Sequence, residues 1–403
     1  MLDALGKHEE AIKCYEKVIK LNPKDRQAWY SKGFILNELK KHEEALKCFE
    51  KVIEIDPKCI GGWNSKGIAL DGLGKHEEAI KCYDKAIELD PKYELAWNNK
   101  GYALRNLGKH EEAIKCYDKA IDLDPKYRKP WFNKGAVLTV LEKYEESLKC
   151  YDKVLEFEPK NVSAWNEKGI VFDSLKKYEE AIKCYDKVIE LDPKVDYAWN
   201  NKGLALYELD KDEEAIKCYD KAIDLDPKYT DSWYNKGFSF EKLGRNEEAL
   251  KCYDKATELD PKFVDAWTSQ AHMLDRLGRH DECIKLMDQA LKSLTSDKGI
   301  QNCINWKGVS LGKLDKYEES LKCFEKVLEL DPTRTLALNN KAHSLQFLDR
   351  ADEALEIINK VLEIDKTKAL YWETKGQILQ KLGRDDEAKE CFAREMEIKT
   401  MHY

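Results

Sequence analysis

Tryptophan recurs along this chain at a fixed interval. Trp29, Trp63, Trp97, Trp131, Trp165, Trp199, Trp233 and Trp267 each follow the last by 34 residues. The phase then slips by three, and the same slot holds Ile304, Leu338 and Trp372, giving eleven slots. Glycine stands four residues after each slot, except at Ala271 and Ala342. Proline keeps step from Pro57 to Pro261 and returns at Pro332. A period of this length constrains the fold more than any local motif. Each unit must pack chiefly on its neighbours, which marks a solenoid.

Each unit carries two helical patterns. Trp97, Gly101, Leu104 and Leu107 form an apolar stripe at helical spacing, and Ala113, Tyr117, Ala120 and Ile121 form a second. Leu107-Gly108 breaks the first helix and Asp124-Pro125 ends the second, because proline cannot continue a helix. Gly101 and Ala113 are small where two helices must approach closely, and Trp and Tyr supply bulk around them. One such hairpin cannot bury its faces alone, whereas stacked hairpins share one core.

Composition removes several function classes. Apolar residues make up 42% of the chain, too many for a disordered one. Lys plus Arg number 69 against 77 Asp plus Glu, so no general basic surface exists for nucleic acid. No window is apolar enough to span a membrane, and the opening MLDALGKHEE lacks a signal-peptide pattern. The 13 cysteines, an odd number, fit reduced thiols. A cytoplasmic location is the expectation.

The recurring Trp97, Gly101, Ala113, Tyr117, Ala120 and Pro125 resemble the tetratricopeptide repeat family over nearly the whole chain. The resemblance implies an all-α solenoid, a right-handed superhelix of antiparallel helix pairs whose concave face binds extended peptides of partner proteins. About eleven 34-residue helix-turn-helix repeats are expected, preceded by an N-terminal half-repeat. Residues 1–25 read as that half-repeat, a second helix only. Met1 to Gly6 match Leu70 to Gly74 in phase, so the chain opens midway through a first helix. This start reads as part of a longer array, and its uncapped ends as surfaces for self-association. Residues 26–295 read as eight repeats and 296–403 as three more divergent ones. Between them, Leu291 to Ile304 gains three residues, and its Ser293, Thr295, Ser296, Asp297 and Gly299 predict a loop and a bend.

Catalytic chemistry is not evident. Ten cysteines occupy one slot on successive helices, too far apart for a disulfide or a shared zinc, and read as packing residues. His8, His42, His76 and His110 lack the second histidine a zinc-protease helix needs. No phosphate-cradling loop, nucleophile elbow or dinucleotide fingerprint is present. The reading is therefore non-enzymatic, with no cofactor and no metal. Lysine three residues past the slot, from Lys32 to Lys375 with Gln270 the exception, predicts a stem lying on apolar surface with its ammonium reaching water or an acid.

Binding is expected on first-helix residues off the packing stripe. Asn99, Asn133, Asn201, Asn235 and Asn340 stand two after the slot, and an amide row can grip a peptide backbone. Before them lie Tyr30, Asn64, Asn98, Phe132, Asn166, Asn200 and Tyr234. Phe34, Tyr102 and Phe238 stand five after the slot. These residues outline a groove for extended segments of protein partners. The lysine and asparagine of the family's carboxylate clamp are replaced, as by Tyr30 with Phe34, so no such clamp is expected. Similar asparagine rows line arrays attached to protein O-linked sugar transferases. The alternative is thus a substrate-recognition portion of a larger O-linked glycosyltransferase-like enzyme whose catalytic domain is absent from this chain.

Overall fold

The computed structural model describes residues 7–400. Among them are 23 α-helices and no strand. A single helix, His8–Leu21, precedes eleven antiparallel pairs, from Arg26–Glu38 with His42–Ile55 to Ala369–Lys381 with Asp385–Thr400. The proposed match of the opening residues to a first helix lies outside the described residues. The helices divide into two compact units, residues 1–201 and 202–403. The division expected at 295/296 lies inside the second unit, where one apolar cluster includes Tyr253, Met287 and Cys303.

Within each pair, the first helix approaches the second through glycine. A Cβ on Gly101 would meet the Tyr117 ring at 2.6 Å, and one on Gly308 would meet the Phe324 ring at 2.7 Å. Real side chains do not tolerate such distances, so glycine is required opposite an aromatic ring. The two exceptions obey the same rule. Ala271 shares a core cluster with Met287, and Ala342 shares one with Ile358. Where the ring is gone, a methyl group fits.

A tryptophan ties down the turn between most pairs through a backbone carbonyl six residues before it. Trp97 Nε1 donates to the Pro91 carbonyl at 3.1 Å, and the same bond recurs from Trp29 to Pro23 and from Trp267 to Pro261. Trp372 makes it to the Lys366 carbonyl, so the backbone oxygen rather than the pyrrolidine ring is the partner. First helices end in the left-handed region. Gly108 has φ +74° there, while Lys40, Glu142 and Lys176 take φ of 56–58° despite their side chains.

Lysine behaves as its position predicts. Lys100 Nζ lies 2.6 Å from Asp84 and Lys168 Nζ 2.6 Å from Asp152, each acid on the second helix of the preceding repeat. Lys100 also sits over the Trp97 ring. Gln270, which replaces lysine, still donates to Asp254.

The segment near 296 departs from expectation. Only residues 294–296 lie outside a helix there, and Asp297–Lys313 is a 17-residue helix where other first helices have 13. Ser296 accepts from Gly299 N at 3.3 Å, an N-cap. The expected loop is therefore confined to residues 294–296, which include Thr295 and Ser296, while Asp297 and Gly299 begin a longer helix that absorbs the inserted residues as added length.

The glycine contact can be tested by a double-mutant cycle. Gly101→Ala alone is expected to destabilise by about 1–3 kcal/mol, the usual cost of overpacking. Combined with Tyr117→Met it is expected to cost less than the sum, with a coupling of about 1 kcal/mol in urea melts. Additive losses would show that the ring does not set the approach.

Candidate functional site

In the first unit a cleft of about 550 Å³ lies on the first helices Glu94–Asn106, Arg128–Val140 and Val162–Ser174. Five residues expected from the sequence meet there: Asn98, Asn99, Tyr102, Phe132 and Asn133. Helical spacing accounts for the convergence, since Asn98 and Tyr102 are four apart on one face. Tyr102 is 40% exposed, with the Arg105 guanidinium 4.7 Å over its ring. Phe132 is half-buried and meets the Tyr151 ring edge-on at 5.6 Å.

The asparagines are not a free row. Asn133 Nδ2 donates to Asn98 Oδ1 at 3.1 Å, Asn98 Nδ2 to Asn99 Oδ1 at 3.1 Å, and Asn99 Nδ2 to Asn64 Oδ1 at 3.0 Å. The relation recurs from Asn201 to Asn166 and, in the second unit, from Asn340 to Asn305. Ser65 and Tyr30 take the same places with hydroxyls. The asparagines one after the slot, Asn64, Asn98, Asn166 and Asn200, are buried. Those two after it are half-buried, as is Asn235. Each half-buried amide bonded in the ladder keeps a second N–H for the cleft.

Other expected residues lie apart from this cleft. Phe34 is half exposed on the first repeat. Tyr234 and Phe238 pack against each other at 5.0 Å and against Tyr253. Asn340 lines clefts of the second unit.

Sequence reading missed Arg128 and Lys129, which line the cleft. They stand four before Phe132 and Asn133, so extending the face by one helical turn finds them. Arg128 lies 3.7 Å from Glu158, whose carboxylate also accepts from Asn161 Nδ2 at 2.7 Å. Lys129 has no carboxylate partner among the described residues and leaves the cleft with an uncompensated positive edge.

The cysteines are not poised for chemistry. Cys48, Cys82, Cys116 and Cys150 are buried, and burial pushes their thiols up to about 11. Among the described residues, no cluster of three or more His, Cys, Asp or Glu side chains could hold a metal ion. No helix there is long and apolar enough to cross a membrane.

A tetratricopeptide repeat model matches residues 27–59, 61–93, 95–127, 129–161, 162–195 and 230–263. Further tetratricopeptide models match 3–40, 184–217, 203–244, 252–285, 302–334, 336–368 and 369–399. The chain belongs to the tetratricopeptide repeat family. Similar solved structures include YrrB, a TPR protein with an unusual peptide-binding site. It is 26% identical, its match covers 46% of this chain and 96% of YrrB, and the TM-score is 0.40. Yeast Tom70 is 16% identical over 93% of this chain and 92% of its own, with a TM-score of 0.43. Cut9–Hcn1 of the APC/C is 13% identical over 98% and 91%, with a TM-score of 0.45. No curated protein matches the chain.

Two outcomes follow from the site's geometry. Asn133→Ala strands the buried Asn98 oxygen and is expected to cost about 1–3 kcal/mol, while Tyr102→Ala, on an exposed edge, leaves melting within about 0.5 kcal/mol. Equal effects on thermal melts would contradict the ladder. At pH 8, brief alkylation of the native chain is expected to mark the exposed Cys14 first. Cys48, Cys82, Cys116 and Cys150 should react only after unfolding, as peptide mass mapping would show.

Proposed function

We propose that this TPR chain is a non-enzymatic adaptor that holds extended segments of partner proteins on its first-helix surface. The cleft of about 550 Å³ carries the reading. It joins aromatic faces at Tyr102 and Phe132 to unspent amide donors at Asn99 and Asn133. A peptide backbone needs both donors and acceptors, and a partly occupied amide ladder supplies them at regular spacing. The aromatic faces would take side chains, with Arg128 and Lys129 at one edge biasing the choice toward acidic ones.

The ladder also decides which variants test this reading. Replacing the asparagines would disturb the framework along with the groove, whereas Tyr102 and Lys129 are exposed. A randomised peptide library panned on the full chain is expected to yield binders that lose about tenfold affinity on Tyr102→Ala with Lys129→Glu, at unchanged helicity. Binders indifferent to that pair would move the site elsewhere, and no binders at all would reject the adaptor reading.

A further inference from the structure

A second cleft, of about 200 Å³, lies in the second unit between the first helices Asp297–Lys313, Thr335–Phe347 and Ala369–Lys381. It is smaller than the roughly 300–1,000 Å³ of a small-molecule site and matches a single side chain better. Small residues open it: Gly308 and Gly312 form one wall, with Val309 and Leu370 as apolar surface. Leu370 is 46% exposed.

Its charge is one-sided. Lys313 and His343 line it, and no carboxylate does, in a chain with 77 acidic residues. Elsewhere in this unit groove-edge cations are neutralised: Lys242 by Asp210, Arg276 by Glu241 and Lys381 by Asp349. Lys313 has no such partner among the described residues. Burial, and then the Lys313 charge, push the His343 imidazole below its ordinary range, so His343 is a neutral N–H donor beside a cation.

The floor is also incomplete. Asn339 is 2% exposed, and its Oδ1 has no hydrogen-bond partner. The hydroxyls lining it are spent: Ser320 Oγ on the Gly308 carbonyl at 2.8 Å, Ser344 Oγ on the Asn340 carbonyl at 3.1 Å, Thr374 Oγ1 on the Leu370 carbonyl at 3.0 Å. Native structures leave few buried acceptors unpaired, so this one marks a place where a donor, direct or through a water, completes the site.

We propose that this cleft takes the carboxylate side chain of an Asp or Glu within a bound partner segment, with Lys313 as its counter-charge. The inference rests on the adaptor reading for the partner being an extended protein segment, and adds a second contact with a different chemistry. The stem of the acid would lie along Val309 and Leu370, its carboxylate would accept from Lys313 and His343, and a backbone N–H beside it would face Asn339.

Acetylated, C-terminally amidated library peptides selected on the full chain provide the test, each compared with its Glu→Gln or Asp→Asn counterpart. The wild type is expected to prefer the acid by about tenfold, and Lys313→Gln to abolish that preference. Lys313→Glu should reverse it toward Lys or Arg. Lys313 is exposed, and matching thermal melts would confirm that both variants fold. A preference that survives Lys313→Gln, or that disappears on Lys129→Glu instead, would overturn this site while leaving the adaptor reading intact. The same peptides made with a free C-terminal carboxylate are the control, and binding seen only in that form would overturn it too. Failure of every peptide to bind would remove both readings.

Discussion

The close approach of a glycine to an aromatic ring is the contact on which the repeats depend. It fixes how near the two helices of a pair can lie, and so where the groove-lining residues fall. The phenol oxygen is secondary. Tyr83 donates to Asp71 and Tyr253 to Glu241, but the hydroxyls of Tyr117 and Tyr219 are buried without a partner. Phe49 and Phe324 occupy the same place with no oxygen at all. Ring volume against a missing Cβ is therefore what the position requires, and an unpaired hydroxyl is a tolerated cost there. The alternative pairs Ala271 with Met287 and Ala342 with Ile358 keep that volume balance by shifting it from one partner to the other.

Polar contacts between successive repeats then limit rotation of one pair against the next. Lysine reaches back to an acid on the preceding second helix, and asparagine reaches back to an asparagine on the preceding first helix. The two contacts lie on different helices of the preceding repeat. Single exposed ion pairs contribute little, but these lysine side chains are only 17–24% exposed from Lys32 to Lys168, and Lys66, Lys100 and Lys168 lie over tryptophan. Groove and framework thus share residues, and a change made to weaken binding can weaken the solenoid as well.

How much of this was legible in the sequence follows from what repeats. The helix pairs, the role of Gly101 and Ala113, and the lysine's use of its stem all recur at the same register, and repetition makes a local pattern unambiguous. The inserted segment had no second copy to calibrate it. Ser296, Asp297 and Gly299 are turn formers by composition, yet Ser296 caps a helix and Gly299 supplies the N–H it accepts. The asparagine row was visible as a row but not as a ladder, because the bond joins residues 35 apart, one position off the period. A pattern read strictly in phase does not show a contact that crosses the phase.

The same reasoning separates the groups that hold the solenoid from those that can discriminate among partners. An amide bonded to its neighbour in successive repeats presents nearly the same remaining donor each time, so it can grip a backbone but cannot rank sequences. Discrimination falls to residues outside the recurring contacts. In the first unit these are Tyr102, Arg128 and Lys129, and in the second Lys313, His343 and Leu370. These positions vary among the repeats: Tyr102 and Lys129 have no counterpart of the same type, whereas Arg128, Lys313, His343 and Leu370 recur only at Arg26, at Lys242 and Lys381, at His272, and at Leu95 and Leu336. A repeat array gains specificity by this division: its regular residues fix spacing and register, and a few irregular ones set charge and shape at defined points along that spacing.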